Sequence, residues 1–558
     1  MTAPAATRAG RREWIGLAVL ALACVLYAMD LTVLHLAVPS LSADLRPSST
    51  QLLWITDIYG FMVAGFLVTM GTLGDRIGRR RLLLTGAAAF GVVSVLAARS
   101  TSPEMLIAAR ALLGIAGATL APSTLSLLFS MFADPRQRST AIGVWITSFS
   151  VGGAVGPVLG GVLLERFWWG SVFLLAVPVM ALLLVLGPRL LPEYRDPGAG
   201  RLDLVSAAML LAAVLAVVLG LKLIAQDGLG WLAASSVLAG LVVGVGFVRR
   251  QLTLADPMID LRLFRTQAFT ASLATNLLGI FIVVGYFLFV AQYLQLVLGL
   301  SPLRAGLWSL PSAGGLVVGS NLAPRILRHI RPAWVIGAGL ALAAVGLGVL
   351  TQVGGSADAD LAILAAASLV VSLGLAPVFT ATTDLIVSSA PPERAGAASG
   401  ISETGAELGG ALGIAILGSI GVAVYRGELA DTLPAGVPSA AAAAARDTLG
   451  GAVGVAHQLP DGVAAALLAA ARAAFTQGLQ VTATISAAVA VGIAVGATVL
   501  LRGVRASSQA APAEQPAIAT EPDIAAQPEE AVQLIRVGSG CLACPGERRL
   551  SDVQGAER

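Results

Sequence analysis

Five ionisable residues stand inside long apolar stretches of the chain: Asp30, Asp57, Arg110, Glu403 and Glu407. Charge in such a setting is costly, so each is by default a functional candidate. At 1.5 Å of helix per residue, Asp30 lies about 12 Å from the far end of its stretch, and Asp57 and Arg110 each about 9 Å into theirs. The three therefore share a layer, where Arg110 can pair with either acid. A static ion pair locking helices together is the structural alternative. Glu403 and Glu407 lie about 11 and 17 Å into a later stretch. Four residues apart, they share one helical face, flanked by the small Ser399, Ala406 and Gly410. A carboxyl at low dielectric favours its protonated form. It can hold a proton until its site opens to another side, or it can attract a cation, and competition between the two is antiport. The structural alternative for Glu407 is a hydrogen bond to a neighbouring helix. His35 reads as a packed polar residue and Asp384 as interfacial.

These residues need apolar helices to hold them. The 558 residues are 56% hydrophobic and 12% charged, with mean hydropathy +0.84. Soluble proteins have about 25% charged residues, so a soluble globular protein is excluded. A net charge of +3 argues against nucleic-acid binding. At about 20 residues per membrane crossing, fourteen spans are predicted: near 14–38, 52–73, 81–99, 104–132, 139–164 and 170–190, then 203–224 and 231–248, then 268–292, 304–324, 333–352, 361–387, 396–425 and 478–501. The first runs past the apolar core of a cleavable signal. The fold class is an all-α polytopic membrane protein.

Positive charge sets the expected orientation. With a cytoplasmic N-terminus, the inside segments hold 22 arginines, from Arg8, Arg11 and Arg12 to Arg502 and Arg505. The short outside loops hold five basic residues: Arg46, Arg99, Arg166, Lys222 and Arg304. Both termini are then inside. Trp14, Trp54, Trp168, Trp169, Trp231, Trp308 and Trp334 sit near span ends, where aromatic belts form. Residues 426–477 are expected as a long, alanine-rich outside loop with an amphipathic helix near 461–475. Residues 502–558 read as a disordered cytoplasmic tail. The three cysteines, Cys24, Cys541 and Cys544, are too few for a disulfide framework. A lone Cys541-Leu-Ala-Cys544 is a weak metal signal, and no metal or cofactor is assigned.

An internal repeat is visible. Pro135-Arg-Gln-Arg138 resembles Pro391-Pro-Glu-Arg394, and Gly152-Gly153-Ala154-Val155-Gly156 resembles Gly409-Gly410-Ala411-Leu412-Gly413. Arg76-Ile77-Gly78-Arg79 resembles Arg325-Ile326-Leu327-Arg328. The order is kept and sets spans 2, 4 and 5 opposite spans 10, 12 and 13, which gives six plus two plus six. Such repeats are common in transporters.

The loop after span 2 reads Gly71-Thr-Leu-Gly74-Asp75-Arg76-Ile-Gly78-Arg79-Arg80. It matches the signature loop of the major facilitator superfamily almost fully. Arg110, Gly114 and Gly117 are similar to that superfamily's second motif. Gly152-Gly-Ala-Val-Gly156-Pro157-Val-Leu-Gly160-Gly161 resembles the antiporter motif of its drug exporters, and small residues also serve close helix packing. Asp30-Leu-Thr32, Trp54-Ile-Thr-Asp57-Ile-Tyr59 and Asp256-Pro257-Met258-Ile-Asp260 resemble the fourteen-span drug:proton antiporters, above all the quaternary ammonium and methyl viologen efflux pumps. The resemblance covers about residues 14–501.

This likeness implies a major facilitator fold in a bacterial inner membrane: a cytoplasmic segment 1–13, a six-helix bundle 14–190, two linker helices with flanking loops 191–265, and a second bundle 266–501. It implies a monomer that exchanges protons for lipophilic, cationic compounds, through Asp30, Asp57, Arg110, Glu403 and Glu407. Asp75 would dock at the start of span 13 near Pro392-Glu-Arg394, where the helix dipole favours a carboxylate, with Arg76, Arg79 and Arg80 at the same junction or on lipid headgroups. The pattern departs in two places. Leu310-Pro311-Ser-Ala-Gly-Gly315-Leu316 carries no acid, and Ser402 replaces one of two adjacent acids, so monocations are expected over dications. Export of an endogenous natural product stays open as an alternative. A membrane enzyme acting on lipid-linked substrates would need a sizeable catalytic loop. No GxxxxGK[ST] phosphate loop is present for ATP-driven transport.

Overall fold

Inside lipid a long apolar run satisfies its backbone by coiling into a helix. The computed structural model describes residues 9–132, 134–193, 195, 203–254, 257, 259, 261–389 and 395–504. Spans 1 to 3 are Arg11–Leu45, Ser49–Ile77 and Arg79–Ala98. Spans 4 to 6 are Pro103–Met131, Pro135–Arg166 and Ser171–Leu190. Spans 7 and 8 are Leu204–Asp227 and Trp231–Thr253. Span 9 is Gln267–Val297, and span 10 comprises Pro302–Trp308 and Leu310–Leu327. Spans 11 to 14 are Pro332–Leu350, Ala357–Ser388, Ala395–Thr432 and Asp461–Leu501.

Among the described residues thirteen helices are long and apolar enough to cross a membrane. The fourteenth, span 10, is divided at Ser309, two residues before Pro311. Proline lacks an N–H and crowds the preceding turn, and the Ser309 hydroxyl donates to the Ala305 carbonyl there. Span 1 stops at Arg46, a left-handed cap with φ 48°. Span 2 starts three residues later, at Ser49, behind a reciprocal Ser48–Gln51 capping box. Gly78 turns span 2 into span 3 at φ +115°, a region that glycine enters freely. These two turns mark opposite ends of the bundle, the Arg46 end and the Gly78 end.

Two expectations fail in structure. The amphipathic helix near 461–475 is no separate loop element but the start of span 14, a single helix of 41 residues. Alanine is the best helix former and nothing between Asp461 and Gly478 breaks the helix. At 1.5 Å per residue it is about 60 Å long, twice a bilayer core, so it projects well beyond one. Span 13 likewise continues to Thr432, and the shortened loop holds two small helices, Ser439–Asp447 and Leu449–Ala456. Second, Lys222, counted above as a loop residue, lies inside span 7 and is 1% exposed. The Asp256, Met258 and Asp260 matches, Pro391–Arg394, Cys541, Cys544 and the tail from Arg505 lie outside the described residues.

Small residues set the packing. On span 5, Gly152, Gly156 and Gly160 recur every four residues and meet Val25, Met29 and Val33 of span 1, which share the same period. On span 13, Gly409 and Gly413 meet the Leu277 and Phe281 backbone of span 9. A side chain at any of these glycines would strike its neighbour, the usual logic of close helix crossings in membranes. The first six and the last six spans meet toward the Arg46 end. There Gly161 of span 5 sits on Pro302 and Leu303 of span 10, and Gly306 of span 10 on Pro157. Gly60 of span 2 faces Ala411 of span 13, and the Gln295 amide of span 9 donates to the Leu36 carbonyl of span 1.

Candidate functional site

Arg110 is brought to Asp30, not Asp57. Its Nη1 lies 2.7 Å from Asp30 Oδ2, and its Nε donates to the Ile55 carbonyl at 3.2 Å. Arg110 is 1% exposed, so its charge depends on these oxygens and on the Tyr59 ring, 4.6 Å away. Gly114 and Gly117, one and two turns on, give span 2 room to approach: Gly114 faces the Tyr59 carbonyl and Gly117 the Tyr59 hydroxyl. Asp30 keeps 13% side-chain exposure and borders a small cavity with Leu34 and Phe173 between spans 1 and 6.

Asp57 pairs instead with Lys222 at 2.7 Å, both side chains at 0% exposure. The Lys222 ammonium lies 3.8 Å from the centre of the Trp54 ring. Trp54 therefore covers a buried cation, where the sequence suggested only an interfacial aromatic. Lys222 reads as a loop residue in the sequence because it lies two residues from the predicted end of its span.

Glu407 accepts a hydrogen bond from the Tyr27 hydroxyl at 2.5 Å, from span 1 to span 13. Tyr27 also packs on Tyr59, with ring centroids 6.3 Å apart, and edge-on against Phe149 at 6.0 Å, which meets Trp145 at 4.7 Å. Contacts thus run from Asp30 through Arg110, Tyr59 and Tyr27 to Glu407. Glu403 and Glu407 are partly accessible, and neither forms an ion pair among the described residues. Tyr27, Trp145 and Phe149 carried no sequence signal, since an aromatic in an apolar stretch looks like any other core residue.

In the signature loop, Asp75 accepts from Arg79 Nε at 2.7 Å across one turn. Arg80 donates to the Leu191 carbonyl at the end of span 6 and lies 3.5 Å from Glu193. Arg76 is exposed, and Gly71 and Gly74 line the last turns of span 2. The expected docking partner of Asp75, residues 392–394, lies outside the described residues. In the motif of span 5, Pro157 stands within the helix while Gly152, Gly156 and Gly160 face span 1 and Gly161 faces span 10. Asp384 is exposed in span 12. Among the described residues no cluster of His, Cys, Asp and Glu could hold a metal ion.

The Major Facilitator Superfamily profile matches residues 20–414. The chain is 46% identical to the multidrug efflux pump LfrA of Mycolicibacterium smegmatis, covering 87% of this chain and 95% of that one. It is 36% identical to the methyl viologen resistance protein SmvA of Salmonella typhimurium, over 87% and 97%. It is 33% identical to the tetracenomycin C resistance and export protein of Streptomyces glaucescens, over 90% and 94%. In fold it is similar to a bacterial homolog of the human lysosomal transporter Spinster, with TM-score 0.63 and 18% identity, covering 88% of this chain and 98% of that one.

Proposed function

The chain belongs to the Major Facilitator Superfamily, and from that premise we propose that it exports lipophilic, cationic drugs in exchange for protons by alternating access. The carrying observation is that among the described residues Glu407 has no cation beside it, is held by Tyr27 across the seam, and is linked through Tyr59 to the Asp30–Arg110 pair. An acid among aromatic rings suits an organic cation, which gains from both charge and ring faces. Asp30 is the proton carrier: when it is neutralised, Arg110 loses its carboxylate partner and the Tyr59–Tyr27 contacts can shift. Proton and drug are thereby linked across two groups of helices rather than competing only at Glu403 and Glu407. The names of relatives, a multidrug efflux pump and a methyl viologen resistance protein, support the substrate class.

The reading carries the rest of the topology with it: a monomer in the inner membrane, both termini cytoplasmic, six-helix bundles at 14–190 and 266–501, and linker helices within 191–265. The Gly78 end is then cytoplasmic, since Arg76, Arg79, Arg80, Arg189, Arg249 and Arg325 gather there. The test is efflux of ethidium from a pump-deficient host expressing the protein. Export that stops with an uncoupler is expected, and export that continues without a proton gradient overturns the coupling. A second reading is export of an endogenous natural product, favoured by the tetracenomycin C relative. Protection confined to one antibiotic scaffold, with no ethidium export, would select it.

A further inference from the structure

Lys222 is the single lysine among 558 residues, and it is fully buried on a helix whose role the transport reading leaves open. Span 7 lies against span 2 and span 13 together. Its two contacts differ in kind. Toward span 2 it offers the 2.7 Å pair with Asp57, the Trp54 ring over the ammonium, and Leu211 seated on Gly65. Toward span 13 it offers apolar packing only, Val218 in a cluster with Ala411 and Ala415 that Phe61 of span 2 also joins. A buried ion pair has a narrow optimum and resists separation, because each partner would be left uncompensated. Contacts between small apolar side chains change little as surfaces slide.

We propose that the Asp57–Lys222 pair pins the linker helix to the first six spans, so that span 7 moves with them and slides over span 13 during each cycle. Asp57 is then a positioning residue, and the proton and the drug are handled by Asp30, Glu403 and Glu407. The inference rests on the alternating-access reading for its motion, while the pin itself is a property of the resting protein.

Three measurements on the full chain test it. In purified protein, Asp57→Asn and Lys222→Met should each lower the Tm and cut ethidium export by about tenfold or more, as expected when one member of a buried pair is stranded. The double variant should regain most of both, as should the exchanged pair Asp57→Lys with Lys222→Asp. A double variant as inactive as Asp57→Asn alone would overturn the proposal, because Asp57 would then be needed for its own chemistry. The third measurement uses disulfides, with Cys24, Cys541 and Cys544 replaced by alanine. A β-carbon at Gly65 would lie 3.5 Å from that of Leu211, within the range of a disulfide. The Gly65→Cys, Leu211→Cys bridge should form equally with and without ethidium and leave export intact. A bridge between Val218→Cys and Ala415→Cys should form in a drug-dependent way and stop export. The reverse pattern would show that span 7 travels with span 13 and would overturn the pin. Tm and the yield of the Gly65–Leu211 bridge do not depend on transport, so loss of export by the unmodified chain would count against the exporter reading alone.

Discussion

In the first six spans Asp30 has Arg110 at 2.7 Å, and Asp57 is matched at the same distance by Lys222 of the linker, whereas Glu403 and Glu407 of span 13 have no cation beside them among the described residues. The two acids of the first group differ in turn: Asp57 is sealed at 0% exposure, while Asp30 keeps 13%. A paired, sealed carboxylate is a structural bond. A paired but reachable one can exchange its cation for a proton. An unpaired one at a seam is open to whichever cation arrives. Their place on that scale, rather than residue type, separates the acids of this protein.

The comparison breaks most clearly at Asp30. Asp30→Asn should bring export to background with normal membrane expression, since Arg110 keeps its other partners while the protonatable group is gone. A fluorescent cation leaving cells at the normal rate would remove Asp30 from the mechanism. Arg110→Met should act through stability instead, lowering it by less than the about 3–5 kcal/mol of a fully buried stranded charge because Asp30 keeps 13% exposure, measured as loss of Tm in detergent.

At the unpaired acids the expected effect is on affinity. Glu407→Gln and Glu403→Gln should each weaken binding of monocations about tenfold, roughly 1.4 kcal/mol, with folding intact at position 407 because glutamine there can still accept from Tyr27. Tyr27→Phe removes one hydrogen bond, worth about 1 kcal/mol, and should cost less than either. Equal loss from Tyr27→Phe would mean the seam contact, not the charge, carries the site.

Substrate charge sharpens the same contrast. With no acid at Leu316 and with Ser402 beside Glu403, matched resistance assays should show better protection against monocations than dications, and Leu316→Glu should narrow the gap. Stronger protection against dications by the unmodified chain would place the acids that read drug charge elsewhere.

Asp75 belongs to neither class. It is about a quarter exposed and bonded to Arg79 in its own turn. Asp75→Asn should slow turnover while leaving drug affinity in detergent near normal, because a group that biases which side is open acts on populations. Weak binding with normal turnover would contradict that role.

The smallest effect is expected at Asp203, at the start of span 7. Burial alone would raise its carboxyl, but hydrogen bonds from Ser206 and Arg250 outweigh it and hold it below the ordinary range. A depressed carboxyl stabilises above the unfolded value and loses that contribution as pH falls through the folded one. Asp203→Asn keeps a good N-cap but loses the charge. Its Tm should fall slightly at pH 7, and the gap should start to narrow only below about pH 4 and close beneath the depressed folded value. A gap that persists in acid would point to the cap geometry instead.

Hydropathy alone was enough to foresee the fourteen spans, because a backbone in lipid has one economical solution and leaves long apolar runs as its trace. The glycine period on span 5 was legible for a similar reason: close packing requires small residues at a fixed spacing, wherever the partner helix lies. The acids stood out because charge is rare in such stretches. Their partners were another matter. Arg110 lies 80 residues from Asp30, Lys222 lies 165 from Asp57, and Tyr27 lies 380 from Glu407. Nothing local marks such pairs, and an arginine at equal depth to two acids chooses between them only when helix rotation is set. The extent of span 14 was hidden too, since an alanine-rich segment continues a helix past the membrane without any change in local preference. The sequence thus determined which segments are helices and which residues bear charge inside them, through local propensity and the cost of burying charge. Which charges neutralise one another, and which among the described residues have no ionic partner at the seam, depends instead on the rotation and contact of helices far apart in the chain.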